Sequence, residues 1–137
     1  MLETMLLCVA LNVWYEARGE EYNGQLAVAE VVMRRVLDPR WPDNACEVVY
    51  QPWQFEWTAK YDGLSDTPVP SSSSTSWRKA IKVAKEVEND WPYTGSKVTS
   101  CADHFYNPSI VTPHWDVPES MQHDVTVGGH KFTCSAW

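Results

Sequence analysis

Apolar residues in the first part of the chain recur at three- and four-residue spacing. Leu2, Met5, Leu6, Val9 and Val13 form one stripe, which predicts a helix over residues 3–17 with Gly19 as its stop. Asn23 is the expected cap of a second helix over 24–37. Its run of Leu26, Ala27, Val28, Val31, Val32 and Val36 is apolar enough for a central place, and Asp38-Pro39 ends it. Asn44 and Glu47 have the spacing of a capping box for a short helix over 45–50. Gln54–Trp57 reads as a short strand or extended segment. Residues 58–74, with Gly63, two prolines and a serine run, read as a mobile surface loop. Thr75 or Ser76 then caps a helix from Trp77 to about Asn89. Candidate strands follow at 101–107, 124–127 and 130–134, the last two joined through Gly128-Gly129 as a hairpin. Helices first and a small antiparallel sheet last make the expected class α+β.

Glu16 breaks the pattern. It lies three residues after Val13 and seven after Val9, so it shares their helical face. A carboxyl group at the end of an apolar stripe loses hydration, which disfavours its charged form and raises its pKa. A general acid working near neutral pH needs that property. The bland reading has Glu16 paired with Arg18 or with an arginine of the second helix. Glu20 and Glu21, beyond Gly19, belong to solvent or to a loop, which Glu20 can organise.

Composition narrows the class. The 137 residues suit one domain, 1–137, with a real core. A net charge of −7 and eleven scattered basic residues argue against nucleic acid. No stretch approaches a membrane span, so no stable membrane association is expected. Residues 1–11 lack a basic start and a cleavage-like break, so no signal peptide is visible. The four cysteines have no CxxC spacing and allow three disulfide connectivities. Cys101 and Cys134, flanking predicted strands, are the better disulfide candidates. Buried free thiols account for Cys8 and Cys46 at least as well. Eight tryptophans are many for this length, and with acidic charge they favour sugar stacking over base stacking.

Several segments, in order, carry a resemblance: YEARGE (15–20), GQLAVAEVVMRRV (24–36), VVYQPWQFEW (48–57), DGLSD (62–66), FYNP (105–108) and GGHKF (128–132). Together they resemble the catalytic domain of the SleB/CwlJ-type cell wall hydrolases, the spore cortex-lytic enzymes and their bacterial and phage relatives. The resemblance implies a lysozyme-like helical core and a peptidoglycan-cleaving domain. The family's cortex enzymes often carry a separate peptidoglycan-binding domain, and this chain departs from them in that it is expected to be a single catalytic domain without a cell-wall-binding domain. The resemblance further implies lytic transglycosylase chemistry between N-acetylmuramic acid and N-acetylglucosamine, and no cofactor. The catalytic glutamate of the family's EARGE motif matches Glu16. A hydrolytic muramidase is the alternative, and it more often uses a second carboxyl, about 5–5.5 Å or about 6.5–9.5 Å away. Asp62 and Asp66 are the candidates, with turn formation as their other reading.

The resemblance places FYNP near the active site, where Tyr106 can hydrogen-bond the sugar or steady Glu16. On a strand at 101–107, His104 and Tyr106 share one face, and Asp103, Phe105 and Asn107 the other. Gln54, Phe55 and Trp57 are expected as cleft lining, with core packing as the other reading of Phe55 and Trp57. Trp115 is a sugar-stacking candidate, and His104 and Asn107 complete the expected substrate contacts. Two positions depart from the family pattern: Asp103 replaces a small or hydroxyl residue, and Glu56 a serine.

The expected partner is the glycan strand of peptidoglycan, met by a monomer. A phage-encoded enzyme would wait in the host cytoplasm as an endolysin and reach the wall with a holin's help. A bacterial one would act at the wall or periplasm by a route the sequence does not reveal. Zinc amidase chemistry is a rival, since four histidines are present, but no HExxH spacing appears. A non-catalytic peptidoglycan-binding module is the non-enzyme rival.

Overall fold

The computed structural model describes residues 3–91 and 97–136, with the side chain of His123 left undescribed. Leu2, used in the sequence reading, lies outside the described residues. Four helices come first: α1 (Thr4–Ala17), α2 (Tyr22–Val36), α3 (Ala45–Val49) and α4 (Thr75–Asp90). Three strands follow: β1 (His104–Tyr106), β2 (Met121–Val127) and β3 (His130–Ser135). Helix α2 is the centre of the molecule. Every residue from Gly24 to Met33 is buried, and α1, α3 and α4 all pack against it. No described helix is long and apolar enough to cross a membrane.

Helix ends follow local chemistry, with two shifts from expectation. Asn44 caps α3 by accepting from the Cys46 and Glu47 N–H groups at 2.9 and 3.2 Å. Asn23, in contrast, sits inside the first turn of α2, where Glu21 holds the cap position without a side-chain bond. Ser74, one residue earlier than expected, caps α4 by accepting from Trp77 N–H.

The segment Gln54–Trp57 is not a strand. Phe55 alone is extended there, and a 3-10 helix runs over Glu56–Lys60, followed by another over Leu64–Asp66. Four residues are too few for periodicity to separate an extended segment from a tight turn. Segment 58–74 therefore holds local structure rather than plain loop.

The sheet has strand order β1-β3-β2, all antiparallel, with His104 opposite Thr133 and Val127 opposite His130. His123 and Asp124 lie within β2, which begins before the expected residue 124. β1 is shorter than expected and begins at His104, although the Asp103 N–H still donates to the Thr133 carbonyl of β3 at 3.0 Å. The β2–β3 turn requires glycine at 128: its φ is +58°, and a Cβ there would overlap Glu20 Oε1. The same Oε1 accepts from Gly129 N–H at 2.6 Å, which pins the hairpin turn to the α1–α2 corner.

Both cysteine pairs are disulfides. Cys8–Cys46 joins α1 to α3, and Cys101–Cys134 joins the segment before β1 to β3. The free-thiol reading of Cys8 and Cys46 is thereby corrected. Apolar surroundings suit a disulfide as well as a thiol, and only the packing of α1 on α3 brings the two sulfurs together.

Candidate active site

Glu16 occupies the last turn of α1 and is half-buried at the edge of a cleft of about 640 Å³. Its helical phase carries it inward, as the stripe Val9–Val13 requires. Burial pushes its carboxyl up from 4.5 to about 7, and the like charge of Glu56 adds to this. The negative end of the α1 dipole acts in the same direction. Among the described residues it has no hydrogen bond and no ion pair.

The arginines that would have neutralised it are committed elsewhere. Arg18 lies 3.9 Å over the Trp14 ring. Arg34 donates to Thr99 and to the Ala102 carbonyl. Arg35, buried, donates from Nε to the Asp103 carbonyl at 2.8 Å and from Nη1 to Gln54 Oε1 at 3.2 Å. Burial lowers Arg35 to about 10, so it stays charged at neutral pH. It therefore ties two walls of the cleft, one carrying Gln54 and the other carrying β1.

The cleft brings Glu16 together with Gln54, Phe55, His104, Tyr106, Asn107 and Trp115. These side chains come from three parts of the chain more than thirty residues apart. Trp57 is placed differently. It is 8% exposed, stacks on Tyr15 at 4.2 Å and donates to Asn12 Oδ1 at 2.9 Å. It is a core residue behind Tyr15 and Glu16, the other reading its sequence context allowed. Asp62 and Asp66 lie away from the cleft lining in an exposed turn, where Asp66 Oδ2 accepts from Asp62 N–H at 3.0 Å.

Tyr106 directs its hydroxyl to Asp116, not to Glu16. Lys131 bonds the same Asp116 at 2.9 Å and Asp124 at 3.0 Å. This chain of charges braces the segment after β1 against the sheet, and Trp115 packs edge-on against Tyr106 at 5.7 Å. Asn107 folds the start of that segment by accepting from Ser109 N–H and hydroxyl.

Asp103, the departure from the family pattern, is a buried hub. It accepts from Ser135 N–H at 2.9 Å, from the Ser135 hydroxyl, from Arg40 at 3.2 Å and from His104 Nδ1 at 2.9 Å. Burial alone would raise its pKa, but the His104 and Ser135 hydrogen bonds outweigh that and hold it at about 2. A permanently charged Asp103 fixes the tautomer and orientation of His104, whose ring stands 5.0 Å from Trp115 on the cleft wall.

Glu56 and His130 are among the cleft residues that escaped sequence reading. Glu56 lines the cleft and acts electrostatically on Glu16. Its signal was present as an acidic residue between Phe55 and Trp57 where the family pattern has serine. His130, at the start of the expected strand 130–134, faces the cleft with Nδ1 3.7 Å from Glu20 Oε1. Burial lowers its pKa, against a smaller upward pull from Glu20. Its placement follows from the Glu20–Gly129 bond, which no local pattern announces.

Known proteins resemble this chain in sequence and fold. A family model described as Cell Wall Hydrolase matches residues 19–133, beginning just past Glu16. The spore cortex-lytic enzyme of Halalkalibacterium halodurans is 34% identical over 108 residues, covering 78% of this chain and 28% of that protein. The spore cortex-lytic enzyme of Bacillus cereus is 32% identical, covering 78% of this chain and 36% of its own length. The chain thus spans about a third of these relatives. The solved catalytic domain of the germination-specific lytic transglycosylase SleB from Bacillus anthracis superposes with a TM-score of 0.71. That likeness covers 97% of this chain and 96% of the other at 26% identity. The catalytic domain of the Bacillus cereus SleB protein matches with a TM-score of 0.67 at 25% identity. Helical core, C-terminal sheet and family match lead to one conclusion: this chain belongs to the cell wall hydrolase family and has the fold of the SleB catalytic domain.

Proposed function

We propose that the protein cleaves the β-1,4 bond between N-acetylmuramic acid and N-acetylglucosamine in peptidoglycan as a lytic transglycosylase, with Glu16 as its acid and base. The observation that carries this reading is a half-buried carboxyl, without a partner among the described residues, at the edge of an open cleft, with its pKa raised to about 7. Such a group holds its proton at neutral pH and can also release it, as alternating acid and base work requires.

Glu16 first donates its proton to the glycosidic oxygen. The bond from that oxygen to the muramic acid C1 breaks, its electron pair stays on the departing oxygen, and C1 develops oxocarbenium character. The Glu16 carboxylate then takes the proton of the muramic acid 6-hydroxyl as that oxygen bonds to C1. The product is a 1,6-anhydro sugar, no water is consumed, and Glu16 is protonated again. Gln54, His104, Tyr106 and Asn107 supply polar contacts to the sugars, and Phe55 and Trp115 apolar faces. Arg35 and Asp103 act one step back, by holding Gln54 and His104 in place.

Glu56 favours a second reading, a hydrolytic muramidase, because it puts another carboxylate on the same cleft wall. The mass of the muropeptides released from purified peptidoglycan separates the two. Fragments one water lighter, with 1,6-anhydro ends, support the transglycosylase. Reducing muramic acid ends select the hydrolase with Glu56 as its second carboxylate. Cut peptides with intact glycan would eliminate both.

A further inference from the structure

Trp53 is the most unusual residue on the surface. It is 98% exposed, and its φ of +69° makes it the one non-glycine residue among those described in the left-handed region. A bulky side chain in that region is an outlier that points to a functional constraint. A fully exposed indole adds a second cost in unburied apolar surface. Neither is explained by the cleft beside Glu16 alone.

A second groove of about 700 Å³ opens on the other side of Trp53, and the stretch Trp53–Glu56 forms a wall common to both cavities. Each cavity is of the size that holds an organic ligand of several rings. The far side of the second groove carries Tyr50 and Tyr61, whose rings are fixed. The Tyr50 hydroxyl bonds Thr67 Oγ1 at 2.7 Å, and Tyr61 accepts from the Tyr15 hydroxyl at 3.4 Å. Rigid aromatic faces lose little conformational entropy when a ligand settles on them.

We propose that the second groove is an additional binding site for the glycan strand, which crosses Trp53 and continues away from Glu16, its sugar faces on Trp53 and the two tyrosines. This rests on the glycan-cleaving reading given above. The wall chemistry selects the occupant. Its charged side chain is Glu56, and no lysine or arginine lines the groove among the described residues. A stem peptide with free carboxylates meets repulsion there, whereas a neutral sugar ring offers an apolar face to the aromatics and hydroxyls to Glu56. Continuity with the cleft through Trp53–Glu56 lets one unbroken strand fill both.

The test compares the affinity of Glu16→Gln with that of Glu16→Gln/Trp53→Ala for neutral N-acetylglucosamine oligomers and for glycan strands that carry stem peptides, each of increasing length from a disaccharide upward. Alanine keeps a Cβ, so it adds no steric demand at this backbone position that tryptophan lacks, and so exposed a residue takes no core packing with it. The inference expects affinity to rise with length in the first protein. It expects the double variant to bind the longest strands about tenfold more weakly, a loss of roughly 1.4 kcal/mol. Glu16→Gln/Trp53→Phe should recover most of that loss. Equal affinities at every length would overturn this inference and leave the cleavage reading standing. A deficit confined to strands that carry stem peptides would also overturn it, in favour of a peptide occupant. Absence of glycan binding at every length would remove both readings together.

Discussion

Glu16→Gln exchanges a titrating group for a neutral one of nearly the same shape, so it isolates the cost of ionising Glu16. The folded-state pKa is raised from 4.5 to about 7, so the folded protein holds this proton more tightly than the unfolded chain does. Stability is unaffected by this below about pH 4, where both states are protonated. It then falls as pH rises from about 4.5 to about 7, and levels off above that. The full displacement corresponds to roughly 3 kcal/mol at about 1.36 kcal/mol per pKa unit. Partial access of the carboxyl to the cleft reduces this to about 2 kcal/mol. Urea unfolding of both proteins, with disulfides intact, measures it between pH 4 and pH 8. Other groups titrate alike in the two proteins and cancel in the difference. Glu16→Gln should gain about 2 kcal/mol on wild type between these limits, most of it between pH 5 and 7. A pH-independent difference would refute the reasoning, since Glu16 would then ionise as readily in the fold as in the open chain.

Other consequences follow from the same geometry. Glu56→Gln removes the like charge beside Glu16, so the alkaline limb of the pH profile of kcat/KM should move from about pH 7 towards acid. Asp103→Asn should cost about 2–3 kcal/mol, because four donors converge on a charged acceptor. Since the Asp103 pKa is held at about 2, its contribution is present above about pH 4 and lost as pH falls through 2. Acid unfolding curves of the variant should be flatter there. Cys8→Ala/Cys46→Ala opens a crosslink spanning 38 residues and should cost about 4 kcal/mol by urea unfolding. A loss below 1 kcal/mol would mean that the packing of α1 on α3 alone holds this corner.

Local pattern carried much of the fold. The unbroken burial of α2 follows from its apolar run, the cap of α3 from Asn44, and the hairpin from Gly128-Gly129. What stayed hidden depends on contacts distant in sequence. β2 starts at Met121 rather than 124 because its first residues pair with Gln122 opposite Cys134 and Met121 opposite Ser135, not because of any alternation of their own. Asp103, just before β1, is held by side-chain bonds to Ser135 and Arg40 beside its backbone bond to Thr133. At the site, Glu16 was legible from helical phase alone, since one carboxyl on an apolar stripe is a local anomaly. His130 was not, because its place in the cleft depends on Glu20 reaching the turn 109 residues further on. Trp57 was drawn towards the cleft by its neighbours, while its partners Asn12 and Tyr15 lie on α1 and hold it in the core.

The central claim is that one carboxyl, Glu16, performs the proton transfers of glycan cleavage. The most direct test is the rate of muropeptide release from purified peptidoglycan by wild type, Glu16→Gln and Glu56→Gln, each shown to be folded. Removal of a general acid of this kind costs about 10²–10⁴-fold in rate. The account predicts a loss in that range for Glu16→Gln and activity within about tenfold of wild type for Glu56→Gln. Near-normal release by Glu16→Gln, with loss in Glu56→Gln, would contradict it and move the chemistry to Glu56.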